Sequence, residues 1–81
     1  MPVIFGYKGY RFFFYSNEGV PREALHVHVR RENAVAKFWL EPVPEVASSH
    51  GITAHELHEL LGVAAERKAE IERFWNERFG S

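Results

Sequence analysis

The spacing of apolar residues changes once along this chain, near residue 50, and that change constrains the fold more than any other feature. Up to residue 47, stretches of the chain alternate apolar and polar side chains, which is the period of a β-strand with one buried face. From Thr53 onward the apolar residues recur every three or four positions, as in an amphipathic helix. Strands followed by helix predict an α+β fold in which the helical part covers one face of an antiparallel sheet.

Turn residues divide the first half into two hairpins. We expect Lys8-Gly9 to form a two-residue loop, because Gly adopts positive φ without steric cost, and Glu32-Asn33 to form a second loop. Pro42 and Pro44 end the second hairpin, and residues 43–47 are a candidate edge strand. The prediction is a small antiparallel sheet of four to five strands, the first four over residues 3–7, 10–15, 25–31 and 34–40.

The helical half carries start and stop signals of its own. Thr53 and Glu56 form a capping box, and Gly80 ends the pattern. We expect helix over residues 54–79, either continuous or as a pair broken near residues 65–68, where the apolar stripe skips a turn. The stripe that should face the sheet comprises Leu57, Leu60, Leu61, Ala64, Ile71, Phe74 and Trp75.

A chain of 81 residues depends on large apolar side chains to close a core. Here 46% of the residues are hydrophobic and 15% are aromatic, which indicates a folded chain. We expect one domain over residues 1–81, β-rich over 1–47 and helical over 53–79. A net charge of -1 argues against a nucleic-acid binder that uses its whole surface, but leaves room for a local basic patch.

The sequence contains no cysteine, which excludes disulfides, thiolate metal sites and a cysteine nucleophile. Short secreted domains usually need disulfides, so a cytoplasmic location is expected. No apolar run approaches the roughly 20 residues that cross a membrane. Gly6, Gly9 and Gly19 lack the spacing of a phosphate-binding loop, and we expect no cofactor.

Strand alternation places the polar side chains of the second hairpin on one side of the sheet. With Glu32-Asn33 as the loop, His28 lies opposite Lys37 and His26 opposite Trp39. The predicted core side is Leu25, Val27, Val29, Ala36, Phe38 and Leu40. The predicted solvent side is His26, His28, Arg30, Lys37 and Trp39, and Arg11 has the parity to join it.

One chemistry that this side predicts is metal-independent cleavage of RNA. Histidine is suited to act as base and acid because its pKa lies near neutral pH, and cations would hold the phosphate. The candidate catalytic residues are His26, His28, Lys37 and Glu23, the last to orient an imidazole. The candidate binding residues are Arg11, Arg22, Arg30, Asn17 and Trp39, the last as a stacking surface for an unpaired base.

Two other interpretations stay open. One is a metal-binding domain in which His26 and His28 give a metal ion two ligands and Glu23 gives a third. A two-ligand motif is weak evidence and Lys37 would repel the ion, so no residue is assigned as a metal ligand. Binding without catalysis is the other, because an exposed Trp is typical of contact with a partner protein. Phe13 shares a face with Arg11, which predicts aromatic surface available for pairing two copies into a homodimer.

His55 and His58 superficially resemble a zinc-protease helix. That motif requires histidines at positions i and i+4, whereas these lie at i and i+3. We expect both to lie on a solvated helix surface.

The chain also resembles a known family through residues 9–18 (GYRFFFYSNE), Pro21-Arg22-Glu23 and residues 26–29 (HVHV). It is similar to the small prokaryotic domain of unknown function 4160, and the likeness continues through residues 36–43 and 74–77. Ala24-Leu25 departs from the two prolines that typical members carry before the histidines.

The resemblance implies a compact bacterial protein of a toxin–antitoxin module, encoded beside another small gene, with an antitoxin-like partner and RNA as a substrate class. It assigns no catalytic residues. Together with the residue chemistry, it predicts binding of a partner protein or nucleic acid through the hairpin side, with ribonuclease action as the enzymatic version. The alternative is a non-enzymatic adaptor that docks an antitoxin.

Overall fold

The computed structural model of the chain describes residues 3–15 and 24–80. Within these ranges the elements are β1 (Val3–Tyr7), β2 (Tyr10–Phe13), β3 (His26–Arg31), β4 (Ala34–Trp39), β5 (Glu45–His50), α1 (Ala54–Glu66) and α2 (Lys68–Phe79). The strands form one antiparallel sheet in the order β1-β2-β3-β4-β5. The predicted α+β fold class is therefore confirmed.

Both predicted hairpin loops are present. Tyr7 pairs with Tyr10 across the first, where Lys8 and Gly9 have φ values of 49° and 83°. Two successive positive φ values match the right-handed twist of the strands, and Gly9 adopts its value at no steric cost. The loop Glu32-Asn33 likewise lies between paired residues of β3 and β4, so the predicted register of the second hairpin is confirmed.

The fifth strand is longer than predicted and begins later. It runs over Glu45–His50 instead of residues 43–47, and it pairs with β4. The pairing shifts between Lys37 and Phe38, which is the mark of a β-bulge. All six residues of β5 are exposed, because the helices do not reach this edge of the sheet.

The helical half is a pair of helices, with the break at Arg67 as the skipped turn indicated. The Glu56 backbone N–H donates to Thr53 Oγ1 at 3.2 Å, which confirms the N-terminal cap. Arg67 is anchored at the break, since its guanidinium lies 3.6 Å from the centre of the Phe5 ring. Gly80, at φ 80°, follows the end of α2 as expected.

The core lies between the helices and one face of the sheet. Its buried members are Ile4, Tyr10, Phe12, Phe14, Leu25, Val27, Val29, Ala36, Phe38, Leu40, Leu60, Ala64, Ile71 and Trp75. The predicted core side of the second hairpin is thus confirmed in full. Of the predicted helical stripe, Leu57, Leu61 and Phe74 are only partly buried against this core.

The packing of α2 can be tested at Ile71, which is 0% exposed. Ile71→Ala removes buried methyl groups and leaves a cavity, so we expect the free energy of unfolding to fall by about 2–5 kcal/mol. Urea denaturation measures this value. Glu72→Ala, at the adjacent exposed position, is the control and should change stability by no more than about 0.5 kcal/mol. Equal losses of stability in the two variants would contradict the burial of Ile71 beneath the sheet.

Candidate functional site

The face of the sheet that the helices leave uncovered, called the open face below, carries the polar residues of β2 to β5. Arg11 lies opposite Arg30, and His28 lies opposite Lys37, as strand alternation predicted. The open face is defined by Arg11, Tyr15, His28, Arg30, Val35, Lys37, Trp39, Ser48 and His50.

The position of His26 differs from the prediction. Its side chain is 0% exposed, and its ring centre lies 5.2 Å from that of Trp75 on α2 and 5.3 Å from that of Trp39. Nδ1 lies 2.9 Å from the carbonyl oxygen of Ala24. Since a carbonyl can only accept, Nδ1 is the protonated nitrogen and donates this bond.

The predicted solvent-facing position of His26 is therefore wrong. Alternation placed it correctly opposite Trp39, but α2 brings Trp75 against the ring at the start of β3. A buried imidazole enclosed by two indoles has no access to a phosphate in solvent. His26 is a packing residue of this end of the sheet, and we assign it no catalytic role.

His28 is half-buried and held between aromatic rings. Its ring stacks on Phe13, with centres 5.6 Å apart and an interplanar angle of 26°, and meets the edge of Tyr15 at 4.6 Å. Phe13 is only 2% exposed, so the prediction that it offers surface for pairing two copies is wrong. Tyr15 remains 42% exposed beside it. These contacts fix the orientation of the His28 imidazole on the open face.

Lys37 places a positive charge next to His28. Its ammonium lies 4.3 Å from the centre of the Trp39 ring, a cation–π contact that keeps it over the sheet. Arg11 and Arg30 are exposed, and Arg30 Nε donates to the carbonyl oxygen of Glu32 at 3.1 Å. The open face thus combines three cations with partly exposed aromatic rings.

An open hollow of about 330 Å³ lies on this face over β3, β4 and β5. It is lined by Tyr15, His28, Val35, Ala36, Lys37, Ser48, Ser49 and His50. Among the described residues that line it, the side chains on the open face provide two imidazoles, one ammonium and the hydroxyls of Tyr15 and Ser48, and none of them is a carboxylate. Its volume falls at the lower end of the range for small-ligand sites, roughly 300–1,000 Å³.

Sequence reasoning missed the contribution of β5 to this hollow. The predicted edge strand ended at residue 47, before Ser48, Ser49 and His50. The bulge in the β4–β5 pairing then sets Ser48 opposite Lys37 and brings His50 onto the open face. The available signal was Gly51, whose φ of 76° suits the end of a strand better than its interior.

The remaining predicted residues are placed as follows. Asn17, Arg22 and Glu23 lie outside the described residues. His55 and His58 are exposed on α1, as expected.

Within residues 3–15 and 24–80, no three His, Asp or Glu side chains come together as a group that could hold a metal ion. In the same ranges, no helix is long and apolar enough to cross a membrane.

A second polar cluster lies between the first hairpin and α1. The Tyr10 hydroxyl donates to Glu56 Oε1 at 2.8 Å. The Tyr7 hydroxyl donates to Glu59 Oε2, and Lys8 Nζ lies 2.7 Å from the same oxygen. These contacts join two hydroxyl donors and one cation to two carboxylates. The cluster therefore docks α1 onto the hairpin.

The pKa values of this cluster follow from its contacts. Hydrogen bonds from Lys8 and then Tyr7 hold the pKa of the Glu59 carboxyl below its ordinary value. The same contacts raise the pKa of Tyr7 and of Lys8, because each loses its bond to Glu59 on deprotonation. Burial, and next its bond to Glu56, raises the pKa of Tyr10.

Fold and site together define a class: a small α+β domain with helices on one face of its sheet and a cationic, aromatic surface on the other. The model of one family, described as Domain of unknown function (DUF4160), matches residues 9–76, and the chain belongs to this family. The resemblance seen in the sequence is thus confirmed at the level of the family. No curated protein and no solved structure matches the chain.

The contacts of Glu59 make the free energy of unfolding depend on pH in the acid range. Because the folded pKa of Glu59 is lowered, its contribution is present above the unfolded pKa of about 4.3 and is lost as pH falls through the folded pKa. We expect Glu59→Gln to be less stable than the wild type at pH 7, with the difference shrinking toward pH 3. Urea denaturation across this range tests it, with Glu72→Gln as the control. A difference that does not change with pH would contradict the assignment.

Proposed function

We propose that this protein binds single-stranded RNA on its open face, as the RNA-directed component of a bacterial, cytoplasmic toxin–antitoxin module. The observation that carries the proposal is the ammonium of Lys37, held 4.3 Å from the Trp39 ring on a sheet face that the helices leave uncovered. Unpaired bases stack on aromatic side chains, and the phosphates between them are neutralised by cations. The open face supplies both kinds of group within a few strand spacings.

The distribution of charge supports the same proposal. Arg11 and Arg30 lie opposite each other on β2 and β3, so Arg30 is one strand away from Lys37 on β4 and Arg11 is two strands away. By contrast, α1 carries Glu56, Glu59 and Glu66 with no Lys or Arg. Although the net charge of the chain is close to zero, the open face is therefore basic and α1 is acidic. Glu45, opposite Trp39, places a carboxylate at the margin of the open face.

Single-stranded RNA fits this surface better than a duplex. A duplex is read by an element that enters a groove or by contacts along a long track of backbone, whereas the open face is a shallow sheet surface. Sheet faces that bind RNA do so by stacking splayed bases on aromatic side chains. Trp39, Tyr15 and the ring of His28 are the exposed or half-buried rings of this kind on the described open face.

A specific observation favours a second candidate function, docking of an antitoxin-like protein. All six residues of β5 are exposed, and β5 is an edge of the sheet. An edge strand presents unpaired backbone donors and acceptors, which a partner strand can satisfy. Such docking would leave most of the open face accessible and is compatible with RNA binding in a two-protein module.

RNA binding is tested by removing the two arginines of the open face. We expect Arg11→Ala/Arg30→Ala to weaken binding of a 2′-O-methyl oligonucleotide and to reduce the salt slope by about 0.7 for each phosphate that the variant no longer neutralises. Fluorescence anisotropy at several salt concentrations measures both quantities. The matched control is Arg73→Ala/Arg78→Ala, which removes the same charge from exposed positions of α2. An equal weakening in both double variants, or no binding by the wild type at low salt, would refute the proposal.

The stacking role of Trp39 is a separate prediction. Trp39→Ala should weaken binding by about 1–3 kcal/mol, the range for a base stacked on an aromatic side chain. Trp39→Phe, which keeps an aromatic face, should recover part of this affinity. Circular dichroism and urea denaturation establish that each variant is folded. Unchanged affinity in folded Trp39→Ala would remove Trp39 from the binding surface.

A further inference from the structure

We infer that His28 and His50 are the acid–base pair of a metal-independent ribonuclease site in the hollow over β3, β4 and β5, with Lys37 as its phosphate-stabilising cation. The inference rests on the proposed function, since it takes as substrate the single-stranded RNA bound on the open face. It replaces the histidine pair that adjacency in the sequence indicated with a pair that only the pairing of β5 brings together.

The five histidines of the chain separate clearly by position. His55 and His58 are exposed on α1, and His26 is buried against Trp75. His28 and His50 both border the hollow, on β3 and β5 respectively. Two imidazoles in one hollow with an ammonium between their strands provide the residue types that metal-independent RNA cleavage requires.

The strand order sets the two imidazoles on opposite sides of the hollow. β4 lies between β3 and β5, so the two backbones are about 10 Å apart, or two strand spacings. Lys37 on β4 pairs with His28 on one side and with Ser48 on the other. His50 lies two residues further along, opposite Val35.

This separation suits the geometry of the reaction. In an in-line displacement at phosphorus, the attacking oxygen and the leaving oxygen lie on opposite sides of the phosphorus atom. The base and the acid must therefore approach from two directions. Histidines on strands that flank a third strand can do so, whereas neighbouring histidines on one strand approach from the same side.

The chemical step balances without a co-reactant. One imidazole, neutral, takes the proton of the ribose 2′-hydroxyl while O2′ forms a bond to phosphorus. The bond between phosphorus and O5′ breaks, and the other imidazole, protonated, gives its proton to O5′. The products are a 2′,3′-cyclic phosphate and a 5′-hydroxyl, and the two imidazoles have exchanged protonation states.

The other polar groups of the hollow stabilise the negative charge on the phosphate. The two non-bridging oxygens gain negative charge during the displacement, and fixed cations and hydroxyl donors stabilise it. Lys37 and Ser48, paired on β4 and β5, line the hollow beside the histidines and carry these groups. The contacts of His28 with Phe13 and Tyr15 hold its ring in position, which favours a productive orientation.

The experiment uses the full chain and a fluorescently labelled single-stranded RNA in the presence of EDTA. We expect cleavage that yields 2′,3′-cyclic phosphate ends. His28→Gln and His50→Gln should each lower the rate by about 10²–10⁴-fold. His55→Gln and His58→Gln, exposed on α1, are matched controls and should cleave at the wild-type rate. All variants are purified in parallel, so a contaminating nuclease would act equally in every sample.

Binding of the uncleavable 2′-O-methyl RNA separates the two proposals. If the wild type binds this RNA but releases no cyclic phosphate from the cleavable RNA, the ribonuclease inference fails and the proposed function stands. Cleavage that persists in folded His50→Gln, or that EDTA abolishes, also overturns the inference. If the wild type does not bind the RNA at all, the proposed function itself fails. Because His50 is exposed, His50→Gln is expected to fold, which keeps the test decisive even if His28→Gln does not.

Discussion

Burial of one face of the sheet beneath α1 and α2 is the interaction on which the rest of the structure depends. Phe12, Phe38 and Ile71 are fully enclosed where the two layers meet. Helices of 13 and 12 residues cover one face of the first four strands and leave the other face uncovered. In a small chain this single layer contact supplies most of the apolar burial, so the remaining face can carry groups suited to chemistry instead of packing.

The central position of β4 organises the open face. Lys37 on this strand has His28 on one side and Ser48 on the other, so groups from three strands converge around one ammonium. The bulge between Lys37 and Phe38 realigns β5 and carries His50 onto the same face. A local irregularity in pairing thus determines which residues border the hollow, as bulges commonly re-aim side chains next to functional sites.

The polar residues of the molecule serve two purposes, and the layers keep these apart. On the helix side, Glu56 and Glu59 accept hydrogen bonds from Tyr10 and Tyr7 and thereby hold α1 against the first hairpin. Because both carboxylates belong to α1, acidic charge is concentrated in the helical layer. Lys8 of the first hairpin joins this cluster, whereas Arg11, Arg30 and Lys37 lie on the opposite face. This arrangement of charge gives a near-neutral protein a surface suited to a polyanion.

The sequence alone determined the first four strands, the helical second half and the pairing of His28 with Lys37, because loop dihedral preferences and side-chain alternation are set by neighbouring residues. Only the tertiary structure decided the surroundings of each imidazole. Trp75, far along the chain, buries His26, and the pairing of β5 delivers His50 to the hollow. Burial and convergence are properties of contacts between distant segments, so no local pattern in the sequence could specify them.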